Sequence, residues 1–211
     1  MVYSPKTREQ LRTAVATDLR DPTGTTFTPT EIDGLINEGI SEVSRVYPRE
    51  ATDTVAFVEG VSAYPVDFEQ IFRVEWFRDG VYQATIPSNH DDDSAQGGWD
   101  HFAGSLHLPW SRVPYMFEAT DTLRLWGYQT RNQLTDDAEV FDGDADAEFG
   151  VRTYAVLTGY QRLLNSRALY QQWTLESVNS DMGPRWLMAA ADSYERQWQR
   201  IRQQLRNLRR R

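Results

Sequence analysis

Apolar residues recur at helical spacing towards both ends of the chain and at strand spacing in its middle. Leu11, Val15 and Leu19 stand four apart, which puts them on one face of a helix over about 5–20, with Ser4 as N-cap and Pro5 at the first helical position. Asp21-Pro22-Thr23-Gly24 ends it. Thr28-Pro29-Thr30-Glu31 opens a second helix over 30–47, because Thr28 can accept from the third helical amide while Glu31 reaches back, a capping box with proline where a helix tolerates it. Ile32, Leu35, Ile36, Ile40, Val43 and Tyr47 then stripe one face until Pro48 stops the helix.

From about 51 to 130 the period shortens to roughly two. Strands are expected at 54–58, 72–77, 81–86, 106–108, 115–117 and 123–128. Arg78-Asp79-Gly80 reads as a tight hairpin turn, since Asp-Gly supplies the positive φ that such turns need. Residues 87–104, rich in Asp, Gly, Ser and Asn, read as a long loop.

Helical period returns at Ala145, with Phe149, Val156, Leu157, Tyr160, Leu163 and Leu164 on one stripe of a helix over 145–170. After a polar break at 177–183, Pro184 opens a last helix. In it Leu187, Ala191, Tyr194, Trp198, Ile201, Leu205 and Leu208 repeat with alternating spacings of four and three, a heptad seam. The fold class expected is α+β: a helical bundle from the N- and C-terminal helices, a β-rich central insertion and an extended C-terminal helical arm. The expected division is a body over 1–182 and a basic helical arm over 183–211.

Length and composition fit this outline. The 211 residues suffice for one domain with a sizeable core, and 12% aromatic residues, seven of them Trp, argue for a folded chain. Cysteine is absent, which excludes disulfides, thiolate metal sites and a Cys nucleophile. With no apolar run of membrane-spanning length and no basic-then-apolar leader, a soluble chain without a signal peptide is expected.

Charge changes the picture more. The net charge is −9, yet residues 183–211 hold eight arginines against Asp192 and Glu195, +6, so the first 182 residues carry −15. One or two arginines near a helix C-terminus suit its dipole. That does not account for Arg196, Arg200, Arg202, Arg206, Arg209, Arg210 and Arg211 together. The seam must be buried against the protein's own body, another copy or a different protein. It runs almost to the chain end, further than closing a body of this size needs. The last helix is therefore expected to be a partner-binding arm, with Leu187, Tyr194, Trp198, Ile201, Leu205 and Leu208 as anchors. Arg196, Arg200, Arg206, Arg209, Arg210 and Arg211 would set rate and register.

Candidate chemistry is sparse. His90, His101 and His107 lie close in sequence, with Asp91, Asp92 and Asp93 after the first, but no metal-ligand spacing is met and the surroundings are loop-like. Asp136, Asp137, Glu139, Asp142, Asp144, Asp146 and Glu148 resemble a calcium loop only loosely and miss its ligand register. They read as an acidic lead-in to the helix that follows. No nucleophile elbow, Walker loop or dinucleotide turn is present. No enzyme activity, catalytic residue, cofactor or metal is expected.

The order of these pieces resembles the head-to-tail adaptor (connector) family of tailed bacteriophages. The resemblance rests on Leu19-Arg20-Asp21-Pro22, Phe27-Thr28-Pro29-Thr30-Glu31-Ile32, Leu35-Ile36-Asn37-Glu38-Gly39 and Tyr64-Pro65-Val66-Asp67-Phe68. It continues through Val74-Glu75-Trp76 with Asp79-Gly80, Leu123-Arg124-Leu125-Trp126-Gly127-Tyr128 and Leu134-Thr135-Asp136-Asp137. It spans nearly the whole chain through short motifs. The segment 89–99 is longer and more acidic than in that family, and the strand exit lacks the leucine before proline.

The resemblance implies a structural virion protein at the head–tail junction, present in the host cytoplasm during assembly. It further implies a homo-oligomeric ring, commonly of twelve subunits, bound to the portal protein and offering its other face to a downstream tail connector or stopper. Genomic DNA would pass through the lumen without sequence-specific binding, and no membrane would be involved. An acidic body suits such a conduit, because each phosphate neutralised by Arg or Lys adds affinity that resists translocation. The alternative is a nucleic-acid-binding protein that uses the Arg-rich C-terminal helix.

Overall fold

The computed structural model describes residues 3–89, 98–108, 117–175 and 182–209. The chain divides into two units, one made of Met1–Pro48 with Arg131–Arg211, the other of Arg49–Thr130. Helices from both ends of the chain and a central β region make it α+β, as the pattern of periods predicts.

The first unit is helical. Helix α1 spans Arg8–Asp18 and starts at a capping box of Thr7 and Gln10, not at Pro5 under a Ser4 cap. The reason is a competing use of the backbone. The Arg8 amide donates to the Glu139 carbonyl at 2.9 Å and the Phe141 amide to the Lys6 carbonyl at 3.0 Å, so Thr7 bridges Val140 as extended chain and cannot also be helical. The turn after α1 puts Arg20 at φ 56°. The buried Asp21 carboxylate secures it by accepting from the amides of Thr25 (3.0 Å), Thr26 (3.1 Å) and Phe27 (2.7 Å).

Helix α2, Pro29–Val46, begins at the expected capping box of Thr28 and Glu31. Ile32, Leu35, Ile36, Ile40 and Val43 are all buried. Helix α3, Ala145–Asn165, is capped by Asp144, which accepts from the Ala147 amide. Val151, Ala155, Val156, Leu157, Tyr160 and Leu163 are buried, while Phe149 and Leu164, expected on the buried stripe, are exposed. At Gly39 an added Cβ would meet the Val151 carbonyl oxygen at 2.7 Å, so α2 and α3 approach as closely as glycine permits. The helix expected to reach 170 instead breaks at Ser166, which leaves the helical region at φ −125° and ψ 107°. The Ser166 hydroxyl then accepts from the Leu169 amide at 3.3 Å, and the chain restarts as α4, Arg167–Leu175. Trp173 of α4 is fully buried and donates its indole N–H to the Leu19 carbonyl at 2.9 Å.

Helix α5, Pro184–Arg209, corrects the expectation of an arm. Leu187, Ala191, Trp198, Ile201 and Leu205 are buried in the same core as Leu11, Ile40 and Val151, with Tyr194 and Leu208 packed half-buried against it. The cause lies in α3, which is apolar on more of its circumference than α2 can cover. α5 covers the rest: Ile201 and Leu205 lie against Gly150, and the Trp198 and Tyr154 rings meet at 5.2 Å. Residues 183–209 thus belong to the first unit, and the boundary expected at 182 is not a boundary between units.

The second unit contains two antiparallel sheets. β1 (Arg49–Ala56), β7 (Asp121–Gln129), β3 (Gln70–Arg78) and β4 (Val81–Ile86) form one in the order β1-β7-β3-β4; β2 (Ala63–Pro65), β6 (Ser105–His107) and β5 (Asp100–Phe102) form the other in the order β2-β6-β5. Asp79 (φ 48°) and Gly80 (φ 77°) make the expected two-residue hairpin between Arg78 and Val81. Ala103 (φ 51°) and Gly104 (φ 71°) make a second one between Phe102 and Ser105, so the segment 87–104 is not all loop. It contains β5, and Ser88 bridges Trp99. Of the strand expected at 115–117, Phe117 is described. It lies outside any strand, its ring against Phe57 at 5.0 Å and Trp76 at 5.1 Å. The core of this unit is formed by Phe57, Tyr64, Ile71, Val74, Leu106, Leu123 and Leu125 among others.

Candidate functional site

The residues expected to anchor a partner divide by depth on α5. The apolar ones, Leu187, Trp198, Ile201 and Leu205, are used by the protein's own core, which removes them as partner anchors. Arg185, Arg196, Arg200 and Arg206 are exposed. At 3.6 residues per turn they share an arc of about 120°, and among the described residues none of the four makes an ion pair. Asp192 shares their face without pairing to Arg196. Arg202 and Arg209 are half-buried towards the flank; Arg210 and Arg211 lie outside the described residues.

A second surface was not foreseen. Along β7, Leu123 and Leu125 point into the core while Arg124, Trp126 and Tyr128 take the opposite face of the sheet. There the Arg73 guanidinium lies 4.3 Å from the Trp126 ring centre and that of Arg124 4.3 Å from Phe77. Tyr82 meets Phe77 at 5.8 Å and Phe72 meets Tyr128 at 5.4 Å. The Trp126 indole donates to Glu75 at 3.1 Å. Phe72 owes its position to the irregularity of the β3–β7 pairing between Ile71 and Arg73, since a bulge re-aims a side chain. None of Phe72, Phe77, Tyr82, Trp126 and Tyr128 belongs to the core, and Phe72 and Tyr82 are 44% and 51% exposed. The available signal was that neighbouring positions, Leu125-Trp126 and Trp76-Phe77, are large and apolar on both parities of a strand.

The histidines do not converge on a site. His107 stacks on Phe102 with ring centres 3.8 Å apart and planes 5° apart. His101 Nε2 is buried with no hydrogen-bond partner among the described residues, and burial pushes its imidazole pKa down. His101 borders an open cleft of about 370 Å³ with Glu69, Ser88, Trp99 and Asp100. His90, with Asp91, Asp92 and Asp93, lies outside the described residues. Among the described residues no group of three His, Asp or Glu side chains is placed to hold a metal ion, and no helix is long and apolar enough to cross a membrane.

The acidic segment before α3 is occupied locally. Asp137 binds Arg8 at 2.7 Å and Arg12 at 2.5 Å, and the hydrogen bonds from Arg12 and then Arg8 hold its carboxyl at about 2. Glu139 accepts from the amides of Thr135 and Asp136, and Asp142 lies 3.8 Å from Arg131. Asp146 and Glu148 fall in the first turn of α3, where Asp146 accepts from Gln204 and Glu148 binds Lys6 at 2.6 Å. No family model and no curated protein matches this chain.

Proposed function

We propose that this chain is a structural virion protein: an adaptor subunit that assembles with copies of itself into a ring at a head–tail junction. The ring would bind the portal protein on one side and a downstream tail connector or stopper on the other, with DNA passing through its lumen. The observation that carries this reading is the outer face of the four-stranded sheet, where five rings and two arginines stand outside the unit's own core. A sheet face with two exposed and three half-buried rings outside the core suits an interaction surface, and Tyr, Trp and Arg are the residue types that carry most binding energy at protein interfaces. The charge of residues 49–130, five basic against thirteen acidic, −8, agrees with a surface that DNA passes without being held. The sequence resemblance supplies the partners' identity.

The test is a mass measurement of the purified chain, alone and mixed with its cognate portal protein. The expected result is a defined multimer, alone or on the portal. A chain that stays monomeric in both conditions would remove the proposal. The outward arginines of α5 favour one rival, a nucleic-acid-binding protein, which would hold duplex DNA with a steep dependence on salt.

A further inference from the structure

Among the described residues, α5 of the helical unit presents exposed arginines without an ion pair, interrupted by one acidic residue, Asp192, while the β unit presents exposed carboxylates without a partner. In the helical unit, Arg185, Arg196, Arg200 and Arg206 form the exposed, unpaired stripe of α5. In the β unit the described arginines are engaged: Arg49 donates to Gln129, Arg73 pairs with Glu75, Arg78 binds Asp121 and Arg124 lies over Phe77. Its exposed carboxylates without a partner include Glu50, Asp67 and Glu69. All three stand near the Gly127–Tyr128 end of the four-stranded sheet, Asp67 and Glu69 flanking Phe68, whose ring packs against Gly127. Glu50 is opposite Tyr128 in the β1–β7 register, and the Glu69 amide donates to the Tyr128 carbonyl at 2.8 Å. Tyr128 in turn carries the exposed Phe72 ring. This end of the sheet thus combines the Phe72 and Tyr128 rings with Glu50 on the same face and the exposed Asp67 and Glu69 close by in the chain, which suits guanidinium groups both as ion-pair partner and as stacking platform.

We propose that the arginine stripe of α5 in one copy docks on this sheet face of the next copy, at Phe72 and Tyr128 with Glu50, Asp67 and Glu69. The inference rests on the ring reading above and supplies its subunit contact. Both surfaces are exposed in the single chain, so a second copy satisfies each of them. The two patches differ, so the contact is heterologous, and a heterologous contact closes into a ring when its rotation permits. Nucleic acid is the weaker occupant of the sheet face, since the face belongs to a unit of net charge −8 that repels phosphate.

The experiment uses two full-length charge-reversed proteins. One carries Arg196→Glu, Arg200→Glu and Arg206→Glu; the other carries Glu50→Arg, Asp67→Arg and Glu69→Arg. Self-association is read by sedimentation at about 0.1 M salt, alone and with portal protein, beside far-UV circular dichroism to verify folding. Each protein alone should lose association at least tenfold, and an equimolar mixture should regain it within about threefold, because only unlike copies then match. Such rescue cannot come from misfolded chains. If wild type assembles and the reversals leave assembly unchanged, or the mixture stays dissociated, the docking proposal is overturned and the ring reading stands. If wild type never assembles, with or without portal, both fall.

Discussion

Thr28 and Glu31 show what a residue pair can disclose in advance. Their identity and spacing alone specify a helix start, and both halves of the box are present: the Glu31 amide donates to the Thr28 hydroxyl at 3.3 Å and the Thr28 amide to the Glu31 carboxylate at 2.8 Å. Thr28→Ala should cost about 0.5–2 kcal/mol of folding stability, measured by denaturant unfolding. The amide and then the hydroxyl of Thr28 hold the Glu31 carboxyl below its ordinary pKa. A folded value lower than the unfolded one means this stabilisation is complete above about pH 4.3 and is lost as pH falls through the folded value. The gap in Tm between wild type and Glu31→Ala should therefore close on acidification from pH 7 to 3, and a constant gap would assign the effect to something other than the ionised carboxylate. Asp21 shows the limit of the same approach. Asp-Pro-Thr-Gly announces a turn, but that one carboxylate would hold three amides depends on how the chain folds back, which no local rule supplies.

At the scale of elements, periodicity located every long helix and misjudged what one of them packs against. The seam of α5 was legible because alternating spacings of four and three require a buried face. Its occupant was not, because how much of α3 stays uncovered by α2 depends on close approaches such as that of Gly39 to Val151, which spacing along the chain does not report. The short strands β2 and β5 escaped for a related reason: three residues carry too little period, and the Ala103-Gly104 turn lacks the usual Asn or Asp. The packing reverses an expectation about truncation. An arm could be removed without harm, whereas cutting after Gln197 deletes Trp198, Ile201 and Leu205 from the core. The truncated chain should lose the cooperative unfolding of its helical unit, and Trp198→Ala alone should cost about 3–5 kcal/mol. A truncated protein that melts like the full chain would return α5 to the status of an arm.

For the whole molecule, charge asymmetry was legible as an acidic body and a basic end, and the structure refines where each sign sits. The excess of acid lies in the β unit, −8, leaving −1 for the helical unit. The basic end is the solvent side of a helix already committed to the core. The adaptor reading and a nucleic-acid-binding one differ in what this α5 stripe meets. If the α5 stripe gripped DNA through its four outward arginines, the affinity for duplex would fall with salt at a logarithmic slope of roughly −4, starting from a Kd within the range of about 10⁻⁴–10⁻⁶ M typical of non-specific binders. If the stripe instead meets acidic protein surface, the free chain presents DNA with a net charge of −9, and phosphate has little reason to stay. Fluorescence anisotropy with a labelled duplex at physiological salt should then show a Kd weaker than about 10⁻⁴ M, the upper end of non-specific binding. Arg196→Glu with Arg200→Glu should change it little, while the same pair of substitutions should weaken self-association. Micromolar binding that these substitutions remove would make the stripe a phosphate-binding surface and the protein a DNA-holding one.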